Sequence, residues 1–453
     1  MEITRHFVDV GSRRVHYRRA GKGPPLLMAH QSPRSSAEYE PLMREWSKHF
    51  TCIAPDTPGF GQSDPLAIEE PTIDDFADAM LAFLDAIGVR RTGAYGFHSG
   101  GIILVTALRK QSQRFSALAI GGYAIWTPEE MAVFGQSYLP PFRPSAYGEH
   151  LTWLWNRILE QTWFFPWFDV RPSMRLRMAH DDPARVDAVI REMLDSGDAY
   201  RAGYGAVLRA ERDIPPVGTS VPPLLITAYD GDPLQAHIDR LGEMPSGWEA
   251  RKVSTPAAHQ ASSLEFLMQH PAPAVERIAE ARDEGFRRVT VDGFDGLIHW
   301  RGTPGGEGVA LHGPGRALEL LNGQPSFAID LPGHGLSDGW SGPAPTKWQA
   351  WREVVTAIAG DVPVNSEPAP RGDPAQLFPN LAPDRFGAYL TRAWSIVRAR
   401  HLFDPWYEAS PATAIDFDPA VLEPERLARE HRALLRASAA RELATAMQSQ
   451  GGR

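Results

Sequence analysis

The chain predicts an α/β fold, a parallel sheet covered by helices on both faces, followed by a partial α/β repeat. Three observations predict it. Short unbroken apolar runs such as Pro25–His30 and Thr51–Pro55 are what strands buried on both faces look like. Segments with helical spacing alternate with them. The 453 residues exceed what one ordinary core holds, so a second domain is expected.

Arg5 to Tyr17 reads as two short strands turning at Gly11-Ser12, and Gly21–Pro24 ends them. Strand Pro25–His30 is followed by helical spacing over Ser35–His49, then by strand Thr51–Pro55 and the glycine-rich turn Asp56–Asp64. Ile73–Ile87 is an amphipathic helix with Phe76, Met80, Phe83, Leu84 and Ile87 on one face. Thr92–Phe97 is a strand, Gly100–Arg109 a helix and Leu118–Gly122 another strand. Tyr147 to about Ala210 is helical in pattern and rich in Trp and Phe. Strands return at Pro222–Ala228 and Trp248–Val253, and helical pattern from Ser263 to Ala279, interrupted near Pro271, closes the domain.

Composition excludes several roles. A net charge of -9 argues against binding to phosphate backbones or anionic lipid. The lone Cys52 permits no internal disulfide, and no Cys/His spacing suggests zinc. The N-terminus has no apolar signal core and no run is long enough to span a bilayer, so a cytoplasmic protein without a membrane partner is expected. No metal or cofactor is expected either.

Three motifs occur in a telling order: His30-Gln31-Ser32-Pro33 after a strand, Asp56-x-Pro-Gly-x-Gly-x-Ser-Asp64 after the next, and Gly96-Phe-His-Ser-Gly-Gly101 between a strand and a helix. Together they resemble the α/β-hydrolase superfamily. The resemblance implies a nucleophile elbow at the third motif, an inserted helical cap at about 140–212, and a domain spanning 1–280. It also implies an acid after the strand ending at Ala228, here Asp232, and a His after the following strand, here His259. In that pattern Asp232 would orient His259.

The elbow has a steric rule: the residues two before and two after its tip must be small. With Ser99 at the tip, position minus two is the bulky Phe97. With His98 at the tip, the flanks are Gly96 and Gly100. The spacing therefore places His98 at the tip, as nucleophile or as general base. The alternative is a one-residue slip that exposes Ser99. The backbone N–H groups of Ser32 and Ser99 are the expected oxyanion donors. Gln31 could present its amide to the site, Arg34 could pair with a substrate carboxylate, and cap aromatics including Trp167 are expected to line an apolar cavity.

The second part, 285–453, parallels the first. Val289–Trp300 matches Phe7–Tyr17, Val309–Gly315 matches the strand and loop through His30, and Phe327–Asp338 matches Ile53–Asp64. Phe386–Trp394 then aligns without gaps on Tyr147–Trp155, and Pro405-Trp-Tyr407 on Pro166-Trp-Phe168. The separation between matched residues falls from about 283 to about 239, enough to remove an elbow strand and its helix. A proline-rich linker is expected at 361–383 and cap-like helices at 384–448. This truncated internal duplication has no catalytic set. It is expected to pack, to shape a pocket or to build a homodimer contact.

Three functions are consistent with these residues. The first is hydrolysis of a small, partly apolar ester, lactone or carbon–carbon bond by a His98/Asp232/His259 set. The second is lyase or other cofactor-free acid/base chemistry on the same fold. The third is non-catalytic binding of a small molecule.

Overall fold

A strand buried on both faces satisfies its backbone only through neighbours in a sheet, and the apolar runs of the first part do so. They form β1 (Ile3–Val10), β2 (Arg13–Ala20), β3 (Pro25–Ala29), β4 (Thr51–Pro55), β5 (Thr92–Phe97), β6 (Phe115–Gly121), β7 (Leu224–Tyr229) and β8 (Trp248–Val253). In the computed structural model these make one eight-stranded sheet of order β1-β2-β4-β3-β5-β6-β7-β8. β1, β2 and β4 pair antiparallel, and every pair from β4 through β8 is parallel. β3 is buried along its whole length. The helix Ile73–Ala86 starts from a capping box made by Thr72 and Asp75. It buries Phe76, Met80, Phe83 and Leu84 in the core on one side of the sheet.

Described residues are 2–275, 277–304, 308–323 and 325–450, without the side chain of Gln136. They divide into unit 1, Met1–Phe142 with Arg157–Ala281, and unit 2, Arg143–Asn156 with Arg282–Arg453. The ends of the two expected domains, Met1 and residues 451–453, lie outside the described residues. The division at Ala281 falls where the sequence places a boundary. Arg143–Asn156, which the sequence pattern assigns to the first domain's cap, instead counts with unit 2. No helix among the described residues is long and apolar enough to cross a membrane.

Unit 2 has five strands: β9 (Glu284–Val291), β10 (Phe294–Gly302), β11 (Val309–Leu311), β12 (Phe327–Ile329) and β13 (Val364–Ser366). Their order, β9-β10-β12-β11-β13, is the order of β1-β2-β4-β3-β5, with the same parallel and antiparallel sense. The segment expected as a linker, 361–383, therefore contains a sheet strand and a short helix, Pro374–Leu377. The open edge of β11 explains the difference. Its unpaired backbone groups recruit Val364–Ser366 despite the prolines on either side.

The same polar anchor recurs in both units. In unit 1 the buried Asp56 accepts from the Ser36 and Gln62 N–H groups and pairs with His16 Nδ1 at 2.8 Å. In unit 2 the buried Asp330 accepts from Leu318 and Leu336 and pairs with His299 Nδ1 at 2.8 Å. Unit 2 adds Glu284, 3.1 Å from His299 Nε2 and also bonded to Arg301. Elsewhere in unit 2, Gly148 lies under the indole of Trp394 and Gly387 under that of Trp155. His150 meets Trp394 edge-on at 4.9 Å, and Tyr389 meets Trp155 at 6.0 Å. These are matched residues of the gapless sequence alignment, and they face each other reciprocally.

The anchor of unit 2 makes its stability depend on pH from both sides. Burial opposes ionisation of Asp330 and Glu284, but the bonds to His299 and its charge outweigh it and hold each at about 2. Burial likewise opposes charge on His299, but the two carboxylates raise it above its ordinary 6.5. Carboxylate stabilisation is complete above pH ~4.5 and is lost as pH falls toward 2. The imidazolium contribution is complete below pH ~6.5 and is lost as pH rises through the folded value. Thermal melting of the chain across pH 2 to 9 should show both losses, and Glu284→Gln should shrink the alkaline one.

Candidate active site

β5 ends at Phe97, and the next residue, His98, takes φ 47° and ψ −113°. It is the only non-glycine with positive φ among the described residues, a strained conformation for a residue with a Cβ. The surrounding glycines force it. A Cβ at Gly100 would lie 1.9 Å from the carbonyl oxygen of Ala29, and one at Gly96 2.8 Å from the backbone of Gly100. A Cβ at Gly101 would lie 2.4 Å from Ile120. Only glycine lets the helix Ser99–Lys110 begin this close to the sheet, and His98 is left at the tip of the turn. Its N–H donates to Gly121 O at 2.7 Å.

The imidazole of His98 is held by one bond, from Nε2 to Asp232 Oδ1 at 3.0 Å. Asp232 stands in the turn after β7, where Oδ1 also accepts from the Leu234 N–H at 2.8 Å. Its other oxygen, Oδ2, is buried with no hydrogen-bond partner. Burial opposes the carboxylate's charge, but the charge of His98 and the bond to it hold the group below its ordinary value. Gly122, at φ 58°, provides the space: a Cβ there would lie 2.7 Å from His98 Nε2 and 2.8 Å from Asp232 Oδ2. Because Asp232 accepts from Nε2, the neutral ring carries its proton there and Nδ1 is its basic nitrogen.

His259 is not the partner of Asp232. Its Nε2 pairs with the Tyr95 hydroxyl at 2.8 Å and its Nδ1 with Thr227 Oγ1 at 2.5 Å. The ring is buried beside Phe97, 5.6 Å between centroids. Burial pushes it down to about 4, with Asp232 acting against this and the nearby His98 adding to it. The local reason is the helix start. The helix runs Pro256–Gln269, earlier than the sequence pattern suggests, with Thr255 capping the Ala258 N–H. This places His259 in the first helical turn, directed at β5 and β7, instead of in a loop. Thr255-Pro256, a capping residue followed by proline at the first helical position, was the available signal.

The loop after β3 is also committed. Ser32 N–H donates to Ser99 Oγ at 2.6 Å, and Ser99 Oγ lies 3.2 Å from Ser32 Oγ. Gln31 gives its backbone N–H and its amide to Glu38, at 2.7 and 2.9 Å. Burial pushes Glu38 up to about 7 against the opposing effects of Arg34 and Gln31. Arg34 is paired with Glu192 and lies 3.9 Å from Glu38. It is not among the cavity residues, so the expected pairing with a substrate carboxylate has no support in this geometry.

His98 opens on a cavity of about 170 Å³. Gln31, Ser32 and Ser99 join it at the polar end, and Gln161 adds an amide. Trp126, Tyr138, Phe165 and Tyr204 form an aromatic wall, with Ile102, Leu176, Val207 and Leu208 beside them. Trp167 is not in the wall. Its indole N–H donates to Tyr138 O at 3.2 Å, so it stands behind the lining residue. Among the described residues, no group of three or more His, Cys, Asp or Glu side chains is arranged to hold a metal ion.

Comparison with known proteins bears on the same region. Residues 24–234 match a family described as alpha/beta hydrolase fold. Unit 1 has the α/β-hydrolase fold. The chain is 26% identical over 224 residues to haloalkane dehalogenase 2 of Mycobacterium tuberculosis, a match covering 48% of this chain and 75% of that protein. It is 32% identical over 104 residues to a soluble epoxide hydrolase of Corynebacterium sp., covering 22% and 35%. A thermophilic esterase from Thermogutta terrifontis superposes with a TM-score of 0.47 at 13% identity, covering 60% of this chain and all of that one. The curated relatives support an enzyme on this fold.

Within the α/β-hydrolase fold, sequence reasoning missed Tyr95 and Thr227, which sit on strands and read as core. Each leaves a nitrogen of the buried His259 unpaired if removed. Thr227→Val should lower the unfolding free energy by about 1–3 kcal/mol, measured by urea denaturation. The His259 ring should stay neutral by NMR until pH falls toward 4.

Proposed function

We propose that unit 1 is a hydrolase in which His98, oriented by Asp232, acts as the general base that activates water. The observation that carries this reading is the His98–Asp232 bond at the tip of a glycine-flanked turn facing a cavity. Water adds its oxygen to the substrate's carbonyl carbon, its proton passes to His98, and that proton is returned to the leaving group. The N–H groups of Ser32 and Ser99 would hold the developing negative charge, once Ser99 Oγ releases the Ser32 N–H it now occupies.

A base fits better than a covalent nucleophile. An acyl-imidazole on His98 would need a second base to bring in water, and both nitrogens of His259 are already bonded. The substrate is small and partly apolar: an ester, a lactone or a ketone cleaved at a carbon–carbon bond. A cavity of about 170 Å³ is close to the ~150 Å³ that holds a benzene ring in an engineered protein cavity. The relatives named as haloalkane dehalogenase and epoxide hydrolase support water as the second reactant.

We further propose that unit 2 is a truncated second copy of the same domain. The shared strand order supports this, as do the matched Asp56 and Asp330 anchors. So do the isolated bridges Phe164–Arg175 and Phe403–Ala414, which fall at the same offset as the gapless alignment. Ala29 pairs with Gly96, two residues before His98, and Leu311 pairs with Ser366, two residues before Pro368. Pro368 thus stands where His98 would, and it offers neither a base nor an N–H.

Short-chain esters and lactones should be assayed with four forms of the chain. His98→Ala and Asp232→Asn should each lower kcat/KM by about 10²–10⁴, while Ser99→Ala should retain activity within about tenfold. Loss of hydrolysis in Ser99→Ala with activity kept in His98→Ala would overturn the assignment.

A further inference from the structure

Unit 2 contains a cavity of about 550 Å³, larger than that of unit 1. Its wall uses the positions that line the cavity of unit 1. Gly313 and Pro314 come after His312 as Gln31 and Ser32 come after His30. Pro368 takes the place of His98, and Ile415 that of Leu176. At the position of Gln161 stands Arg400. The pocket has kept its shape while the groups for chemistry have been replaced, and the replacement at Gln161 adds a positive charge.

That charge is not fully matched. Arg400 donates from Nη2 to Glu430 at 3.0 Å, its one hydrogen bond among the described residues. Glu430 is shared with His401 at 2.9 Å and lies 3.7 Å from Arg426. Arg316 faces Glu367 at 2.9 Å and donates to Leu320 O. Asp404 is 3.9 Å from Arg371. Four guanidinium groups thus meet three carboxylates around one cavity. Burial pushes Arg400 below the ordinary guanidinium range, and the charge of Arg316 adds to this, while Glu430 only partly offsets it. The rest of the wall is apolar and aromatic, with Phe378, Phe403 and Trp406.

We propose that this cavity is a non-catalytic binding site for a small organic monocarboxylate with an aromatic or alkyl body. Its carboxylate would meet the free donors of Arg400, whose planar fork suits two parallel bonds. Its body would lie against the aromatic wall, and a cavity of this size accommodates a ligand larger than the one unit 1 admits. The site stands apart from the chemistry proposed for unit 1, since all its lining residues belong to unit 2.

Isothermal titration calorimetry of the full chain with phenylacetate tests this, with phenylacetamide as the uncharged control. Phenylacetate should bind saturably, and the amide should bind about tenfold more weakly or worse. Arg400→Gln, which installs the residue found at this position in unit 1, should weaken phenylacetate by about tenfold or more. Ile415→Trp, which fills the cavity without touching its charges, should abolish binding and serves if Arg400→Gln fails to fold. Ala124→Trp, which fills the cavity of unit 1, should leave affinity unchanged. The proposal is overturned by absence of binding, by equal affinity for the amide, or by loss of binding in Ala124→Trp but not in Ile415→Trp.

Discussion

The helix Ser99–Lys110 starts so close to β3 that the Ala29 carbonyl leaves no room for a side chain at Gly100. That approach, together with the one between Gly96 and Gly100, is the constraint on which the site depends. It folds the chain back at His98 and holds the residue at positive φ. It also presents a helix N-terminus, with its unsatisfied N–H groups, to the cavity. The strain at one residue is offset by two glycines and by a β5 buried almost along its length.

A second constraint is the competition of two imidazoles for one carboxylate. Asp232 is bonded to His98 and not to His259, because His259 lies in the first turn of a helix and faces the sheet. Tyr95 and Thr227 then satisfy it, as a buried imidazole requires. The outcome is a site with one oriented base and one neutral, committed histidine. The Gly121-Gly122 pair makes both placements possible, since side chains there would collide with His259 on one side and with His98 and Asp232 on the other.

The two units illustrate how one framework tolerates different contents. Both keep the Asp–His anchor and the strand order that aligns the loop after the third strand with the end of the fifth. They part company at the end of that fifth strand. In unit 1 it turns at once into a helix, and in unit 2 it runs into Pro368, which cannot donate to a helix and carries no reactive group. Framework and reactivity are thus carried by different residues.

The α/β class, the strand positions and the identity of the elbow tip were legible in the sequence. Each rests on local patterning: apolar runs mark buried strands, and the glycine spacing around His98 is a steric demand that only one register meets. The parallel between the two parts was also visible, because matched motifs occur in the same order. Tertiary structure alone decided which histidine meets Asp232, that Glu192 and Glu38 occupy Arg34, and that Trp126, Tyr138 and Tyr204 line the cavity while Trp167 stands behind. It also decided that Val364–Ser366 completes a sheet where composition suggests a linker. The physical reason is common to all of these. A side chain's partner, or a strand's neighbour, is set by what lies across space from it, and a buried polar group takes whichever partner the packing brings within reach.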